Sequence, residues 1–358
     1  MKKVTVAMAS YNHEQFVGAS IESVLSQTGC DFEFVIVDDG STDGTVQEIR
    51  KFKDPRIRFI PLEKNQGACT ALRMAIEGGN GDYVAILNSD DLFLPGKLQK
   101  QVSFLDDNPR ISAVFAHPML IDEHGHDLGE KSFYTNLFKQ PNRSRYEWLN
   151  RFFYKQNALC HPTVMIRRSC YHELGYYDPR FAQLPDFDFW VRLTLKHEIH
   201  ILQEELIQFR ILSNAGNVSA PKLESSYRHL WELSHVLQRY LTISSVEEYL
   251  AIFPEETPNV VDKDPELIPF YLGNLALRAQ VHEKSVYRSL GLEILFSLLG
   301  NPKLKEKLAS QLNYRYSDFL KNTPPVFYLE PTHKVHPITR LKKCFSPSWI
   351  IQKVRGLL

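Results

Sequence analysis

Three short apolar runs near the start of the chain each end in polar or acidic residues. Val4-Thr5-Val6-Ala7-Met8-Ala9 leads into Ser10-Tyr11-Asn12, and Phe32-Glu33-Phe34-Val35-Ile36-Val37 leads into Asp38-Asp39-Gly40. Asp82-Tyr83-Val84-Ala85-Ile86-Leu87 leads into Asn88-Ser89-Asp90-Asp91. Runs this short and this rich in β-branched and aromatic residues predict buried strands of an α/β sheet. Between the first two, Ile21, Val24 and Leu25 mark the apolar face of a helix. A second helix is predicted from Thr45, with Ser41, Thr42 and Asp43 as candidate N-caps and Gly40 and Gly44 allowing a tight approach. Strand, helix, strand, helix, strand thus follow in order. Each strand ends in a polar group at its carboxyl end, where open α/β sheets bind their ligands.

Beyond about residue 220 the period changes to that of helices. Leu230, Leu233, Val236, Leu237 and Leu241 form one set, Leu272, Leu275 and Leu277 a second, and Leu290, Leu292, Leu295, Leu298 and Leu299 a third. Gly300-Asn301-Pro302 stops one helix and Leu304 to Leu312 predicts another, while Pro254, Pro258, Pro265 and Pro269 punctuate the connection between helix groups. The expected organisation is an α/β domain over residues 1–220 and a mainly helical region over 221–358. The end of the chain, from Lys334 through Trp349 and Ile350 to Leu358, is basic and amphipathic. It reads either as a docked terminal helix or as a peripheral contact with an anionic membrane surface.

The carboxylates carry the candidate chemistry. Asp90 and Asp91 repel each other unless a cation or hydrogen-bond donor compensates them, and a hard divalent ion bridging to phosphate oxygens is a natural compensator. A pair of turn-capping aspartates is the alternative. Asp39, at a strand end beside a helix start, is suited to accept from a nucleobase N–H or a ribose hydroxyl.

Taken together, the motifs resemble those of the family 2 glycosyltransferases, inverting enzymes of the GT-A fold. The resemblance is carried by Ser10-Tyr11-Asn12 with the segment Ile21 to Thr28, by Val37-Asp38-Asp39-Gly40-Ser41-Thr42-Asp43-Gly44-Thr45, by Asn65-Gln66-Gly67, and by Asn88-Ser89-Asp90-Asp91 with Pro95. Leu184-Pro185-Asp186-Phe187-Asp188-Phe189-Trp190 is similar to the family's acidic segment. The fold it implies is a GT-A-type, Rossmann-like mixed sheet flanked by helices and followed by the helical region. The function it implies is transfer of a sugar from a nucleotide-diphospho sugar, most often a UDP-sugar, to an acceptor hydroxyl, with inversion. The setting it implies is bacterial surface polysaccharide or glycan assembly, with a glycan or lipid-linked acceptor.

Carried onto this chain, the resemblance makes Asp39 the acceptor from the base, with Ala9 and Tyr11 flanking it. Asp90 lies near the ribose and helps to hold the metal, and Asp91 holds Mn²⁺ or Mg²⁺ against the diphosphate. Arg210 reaches the diphosphate, and Asp186 is the general base that deprotonates the acceptor hydroxyl. Asp188, His161 and Trp190 are further candidates on the acceptor side. Two positions apart on a helix, Asp186 and Asp188 face different ways, so only one of them can meet the sugar.

The chain departs from the family pattern at Asn88, where an acid is common, at Pro185, where Glu often precedes the base, and after Arg210, where many relatives carry a histidine. A catalytically inactive nucleotide-binding or scaffolding subunit is therefore a second reading. A sugar nucleotidyltransferase is disfavoured, because Ser10-Tyr11-Asn12-His13-Glu14 is not a glycine-rich, basic phosphate loop.

Composition narrows the class. Formal net charge is +0 over 358 residues, which gives no bulk electrostatic case for nucleic acid. No apolar run is long enough to span a bilayer, and Met1-Lys2-Lys3-Val4 leads straight into a strand. The five scattered cysteines (Cys30, Cys69, Cys160, Cys170 and Cys344) form no Cys-x-x-Cys pair and predict reduced thiols in a cytoplasmic protein. The stretch holding Tyr134, Phe138, Tyr146, Trp148, Phe152, Phe153 and Tyr154 is expected to shape the acceptor site, with core packing as the alternative. His124-Gly125-His126 reads as a hairpin connection, and His197 and His200 sit at helical spacing. Neither pair has the fuller ligand set of a zinc site.

Overall fold

Alternation along the first strand decides which layer each side chain enters. Val4, Val6 and Met8 pack on one side of the sheet with Val17, Ile21 and Val24 and with Leu98, Val102 and Leu105. Ala7 faces the other side with Val35, Val37, Ala71, Ala75 and Ile76. A strand covered on both faces reads as a nearly continuous apolar run, which is why the sequence pattern was so plain.

The computed structural model describes residues 4–129, 133–212 and 223–323. In chain order the first elements are β1 (Val4–Ser10), α1 (Val17–Leu25), β2 (Phe32–Asp38), α2 (Thr45–Arg50), β3 (Ile57–Pro61), α3 (Ala68–Glu77), β4 (Tyr83–Asn88) and β5 (Leu92–Phe93). Then follow α4 (Lys97–Asp107), β6 (Ile111–Ile121), α5 (Phe133–Phe138), α6 (Arg145–Lys155), β7 (Met165–Arg167), α7 (Arg168–Leu174), α8 (Pro185–Thr194) and β8 (Glu198–Arg210). The remaining elements are α9 (Leu223–Gln238), α10 (Val246–Ile252), α11 (Ile268–Arg278), α12 (Lys284–Gly300), α13 (Pro302–Gln311) and α14 (Tyr316–Asn322).

The eight strands form one mixed sheet in the order β3-β2-β1-β4-β7-β6-β8-β5. β1 pairs in parallel with β2 on one side and β4 on the other, so the strand order reverses direction at β1. Ligands of open α/β sheets sit outside the carboxyl ends of strands at such a reversal. Here those ends carry Ser10, Asp38 and Asn88, each followed by the residues singled out above. β7 runs antiparallel between β4 and β6, and β8 is parallel to β6.

The helical region shares the core of the sheet. From Ala7 and Val35, the buried apolar cluster continues through Trp148, Phe152 and Phe153 into Leu233, Val236, Leu272, Leu290 and Leu295. Phe153 makes edge-on contacts with Tyr240, Phe253 and Tyr287 at ring-centroid distances of 5.3, 5.0 and 5.3 Å. The Tyr240 hydroxyl donates to the Leu149 carbonyl (2.7 Å) and the Tyr287 hydroxyl to that of Phe153. The expectation that these aromatics shape an acceptor site is therefore corrected for Trp148, Phe152 and Phe153. All three are fully buried in the core, and Phe153 meets rings of the helical half. The side chain of Tyr134 lies outside the described residues, as do the basic tail from Lys334 and Cys344.

The helix stops fall where Gly300-Asn301-Pro302 placed them, with the Asn301 side chain accepting from the Leu304 N–H (3.2 Å). His197 and His200 are not on a helix: His197 precedes β8 and His200 lies within it, stacked on Phe104 at 4.4 Å. Among the described residues no helix is long and apolar enough to cross a membrane.

Truncating Phe153 to alanine should lower the unfolding free energy by about 3–5 kcal/mol, the range for deleting a fully buried aromatic ring. Urea unfolding followed by tryptophan fluorescence and by far-UV circular dichroism checks this. Loss of less than about 1 kcal/mol would mean that the helices are not joined to the sheet through this ring.

Candidate active site

The site is built from loops stitched to one another at the carboxyl ends of β1, β2 and β4. Asn12 adopts a left-handed backbone conformation (φ 52°). Its N–H donates to the Ser41 hydroxyl (2.9 Å), and its side-chain carbonyl accepts from the Thr42 N–H (2.8 Å). The His13 N–H donates to the Thr45 hydroxyl (2.8 Å), and the Gly44 N–H donates to the Glu14 carboxylate (2.7 Å). Asp38, fully buried, accepts from the N–H (2.9 Å) and hydroxyl (2.6 Å) of Ser41. Much of the motif that carried the resemblance is this stitching.

Asp39 is buried, and its two carboxylate oxygens accept from the Gln66 N–H (2.7 Å) and the Gly67 N–H (2.9 Å). It therefore holds the Asn65-Gln66-Gly67 loop to the end of β2, and each oxygen keeps a further lone pair. Gly40 is required here. It sits at φ 73°, and a Cβ on it would come within 2.6 Å of the Lys64 backbone. Ala9 pairs in register with Val37 and Asn88, Tyr11 is exposed at the mouth of the site, and the Ser10 hydroxyl is buried without a hydrogen-bond partner among the described residues.

The polar side of α1 pins the chain after β4. Ser20 donates to the Ser89 carbonyl (3.0 Å), Ser23 accepts from the Phe93 N–H (3.0 Å), and Gln27 donates to the Leu94 carbonyl (3.0 Å). Ser20 and Ser23 lie on α1 and Gln27 just past its end, and sequence reasoning did not single them out.

Asp90 and Asp91 have different environments. Asp91 is completely buried, and its oxygens accept from the Arg210 N–H (2.8 Å) and the Asn88 side-chain amide (2.8 Å). Burial, and then the neighbouring Asp90 charge, push its carboxyl well above the ordinary range. Asp90 is 8% exposed. Burial raises its carboxyl too, while the His13 and Arg210 charges pull it down. His13, which sequence reasoning did not single out, also bonds the Ser89 hydroxyl through Nδ1 (2.7 Å). Arg210 donates from Nε to the Asp90 carbonyl (2.9 Å) and from Nη1 to the Asp122 and Glu123 carbonyls (2.9 and 3.2 Å), and it lies over the Phe16 ring at 4.8 Å. Its guanidinium thus braces the loop that presents Asp90.

This donor set fits a hard divalent cation in an open site. Such ions take one or two carboxylates and complete their shell with phosphate and water oxygens. Among the described residues no group of three His, Cys, Asp or Glu side chains converges to form a closed site. Asn88, where an acid is common, spends its amide on Asp91, a bond that an acid could make only when protonated.

Asp186 lies in the first turn of α8, the positive end of the helix dipole. One oxygen accepts from the Phe187 N–H (2.8 Å) and the other from the Asn157 side-chain amide (3.0 Å). Burial outweighs these donors and pushes its carboxyl up to about 6. Cys160, buried, has its thiol raised first by burial and then by the charges of Asp91 and Asp186. The carboxylates from the end of β4 and the start of α8 thus both act on the Cys160 thiol.

The three acceptor-side candidates are placed elsewhere in the packing. Asp188 is fully buried, with its oxygens taken by Arg192 and Arg239 at 2.8 Å each, so its carboxylate ties α8 down and does not face a cleft. Trp190 is fully buried against Phe115, His161 and Phe189. His161 bonds the Tyr177 hydroxyl through Nε2 (3.0 Å), and burial pushes its imidazole down to about 4, so it is neutral at pH 7.

Comparison with known proteins gives the class and then the family. The sequence pattern described as glycosyl transferase family 2 matches residues 5–175. An uncharacterized glycosyltransferase of Methanocaldococcus jannaschii is 33% identical over 237 residues, which cover 65% of this chain and 79% of that one. The UDP-Glc:alpha-D-GlcNAc-diphosphoundecaprenol beta-1,3-glucosyltransferase WfgD of Escherichia coli is 26% identical over 230 residues, covering 64% of this chain and 84% of that one. Among solved structures, residues 1–349 of S. aureus TarS in complex with UDP-GlcNAc superpose with a TM-score of 0.56 at 18% identity, covering 90% of this chain and 89% of that one. The fold is of the GT-A type, and the chain belongs to glycosyltransferase family 2.

Replacing Asp91 by alanine should lower the thermal midpoint, because the Arg210 N–H and the Asn88 amide lose a buried acceptor at a cost of about 1–3 kcal/mol. Asp90→Asn should leave the midpoint unchanged or raised, since it removes a poorly compensated buried charge. Scanning calorimetry of both variants checks this, and equal losses would remove the distinction drawn between the two aspartates.

Proposed function

We propose that the protein is an inverting glycosyltransferase that moves a sugar from a nucleotide-diphospho sugar, a UDP-sugar, to an acceptor hydroxyl. The observation that carries the reading is Asp186. It is a carboxylate poised near neutrality, oriented by Asn157 and set in the same region as the paired acids after β4. An acceptor hydroxyl is a poor nucleophile, and a general base within hydrogen-bond reach takes its proton as it attacks. The new bond joins the acceptor oxygen to the anomeric carbon, and the bond to the diphosphate oxygen breaks with its electron pair. The proton passes to Asp186. One carboxylate suffices for this single displacement, whereas retention through a covalent intermediate requires a second.

Asp39, Ala9 and Tyr11 are assigned to the nucleotide and Asp90 to Mn²⁺ or Mg²⁺, with Asp91 and Arg210 holding the Asp90 loop in shape. When bound, the metal stabilises charge developing on the diphosphate without needing a proton. Asp91, given the metal in the sequence reading, and Arg210, given the diphosphate, now take this supporting part because both Asp91 oxygens accept from Arg210 and Asn88 and the Arg210 guanidinium donates to the Asp90, Asp122 and Glu123 carbonyls. A lipid-linked saccharide is the proposed acceptor, on the cytoplasmic side of the membrane. WfgD, whose name specifies a diphosphoundecaprenol-linked acceptor, supports that choice. The setting proposed is bacterial surface polysaccharide or glycan assembly.

With a panel of UDP-sugars, Asp186→Asn should cut sugar-nucleotide turnover about 10²–10⁴-fold, the usual contribution of a general base, while nucleotide affinity is retained. Turnover within threefold of the parent would remove Asp186 from its assigned role. Absence of turnover by the parent with every sugar nucleotide, but with nucleotide binding, would instead make the chain an inactive binding subunit.

Because the base acts when deprotonated, kcat should fall as pH drops through about 6. The same shift has a stability counterpart of defined sign. Ionised Asp186 is disfavoured in the fold, so its penalty is absent below the ordinary carboxylate range and complete above about 6. The thermal midpoint of Asp186→Asn should therefore exceed that of the parent at pH 7.5, and the gap should close towards pH 4. Finally, UDP should raise the midpoint in the presence of Mn²⁺ and lose that effect with a chelator. A UDP shift that survives chelation would separate nucleotide binding from any metal.

A further inference from the structure

We infer that Glu232, on the helical half of the chain, is a positioning residue for Asp186, and that α9 is the brace holding the reactive carboxylate in place. The inference rests on reading Asp186 as the general base.

The segment leading to α8 has no strand or helix of its own. It runs from Gly175 (φ 79°) through the Asp178-Pro179 turn to Leu184. Its last three peptide N–H groups are those of Ala182, which is exposed, Gln183, half-buried, and Leu184, which is buried. All three donate to the Glu232 carboxylate, at 2.8 Å each. Glu232 is 3% exposed. Buried carboxylates occur where donors converge on them, and every donor here belongs to the four residues ending just before Asp186.

Two further polar groups, one on α9 and one in the turn that follows it, act on the same target. His229 donates from Nε2 to the Gln156 side-chain oxygen (2.9 Å). Gln156 adopts φ 58° and precedes Asn157, the residue whose amide holds Asp186. Arg239, in the turn after α9, donates from Nε to Asp188 (2.8 Å), two residues beyond Asp186 on α8. The α9 element therefore engages the chain before Asp186, the chain after it, and the neighbour of its side-chain partner. Apolar residues of the same helix, Leu233, Val236 and Leu237, already supply the burial that a covering helix requires. Packing alone would not need the polar contacts as well. Positional demand at a reacting carboxylate explains them, since a displacement of about 1 Å can cost 10²-fold in rate.

The test uses the full chain and sugar-nucleotide turnover as a function of pH. In Glu232→Gln one oxygen is replaced by an amide donor, so at least one of the three N–H groups loses its acceptor. The expected result is kcat reduced at least tenfold, with the KM for the donor within twofold. The acid limb should move below the parent's, because a loosened segment lets water reach Asp186. Glu232→Asp, which keeps the charge, should recover part of the rate and of the limb position. Val236→Ala serves as the comparison for lost packing, and should lower the thermal midpoint without moving the limb. The inference is overturned if Glu232→Gln has parental kcat, or if its loss of rate is matched by Val236→Ala with both limbs in the parental position. If Glu232→Gln does not fold, Glu232→Asp decides on the same criteria. Asp186→Asn, assayed alongside, separates the two ideas. Normal turnover in that variant sinks the general-base reading itself, whereas its inactivity beside a fully active Glu232→Gln sinks only the brace.

Discussion

Desolvation of carboxylates at the ends of buried strands is the constraint on which the rest of this structure depends. A sheet covered on both faces keeps water from its strand ends, and a buried acid is costly unless donors or cations meet it. Most acids around the site are fully met. Asp38 takes two donors from Ser41, Asp39 takes two backbone N–H groups, Asp188 takes two guanidinium groups, and Glu232 takes three backbone N–H groups. These acids are fasteners. They convert charge into loop geometry: Asp38 shapes its own turn, while Asp39, Asp188 and Glu232 each join segments far apart in sequence. Asp90, Asp91 and Asp186 are the ones whose burial outweighs their neighbours, so all three are raised above the ordinary range. The contrast between satisfied and under-satisfied acids marks the candidate functional groups more sharply than the motifs do.

That contrast also explains what the sequence could and could not tell. The β1, β2 and β4 strands were legible because two-sided burial leaves an unbroken apolar run, and the polar residue at each strand end announced the ligand side of the sheet. The α12 stop at Gly300 was legible because its signals are local. The different environments of Asp90 and Asp91 were not, because they depend on Arg210, far along the chain at the end of β8, whose N–H donates to Asp91. Asp186 was preferred to Asp188 on the motif alone, whereas the partners that bury Asp188, Arg192 and Arg239, were not legible, since nothing in the acidic segment announces the second. The aromatic-rich stretch misled for a related reason. Rings suited to a sugar face are the same rings that fill a core, and Phe153 meets Tyr240, Phe253 and Tyr287, all more than eighty residues later.

The helical half is bound into this arrangement. It shares a continuous apolar core with the sheet, and its polar residues reach back to the segment that carries Asp186. A fold of this type hosts many specificities, so fold alone says little about the reaction. In this chain, hydrogen bonds from Asn12 to Arg239 hold the loops and helices around a carboxyl that burial raises to about 6.

The most direct test of this account is a titration of the aspartate side-chain carboxyl carbons by ¹³C NMR, with the Asp186 resonance assigned by its absence in Asp186→Asn. The account predicts a midpoint for Asp186 close to 6, well apart from the exposed aspartates, and a response to added UDP-sugar. A midpoint in the ordinary carboxylate range near 4, unmoved by the nucleotide sugar, would contradict it.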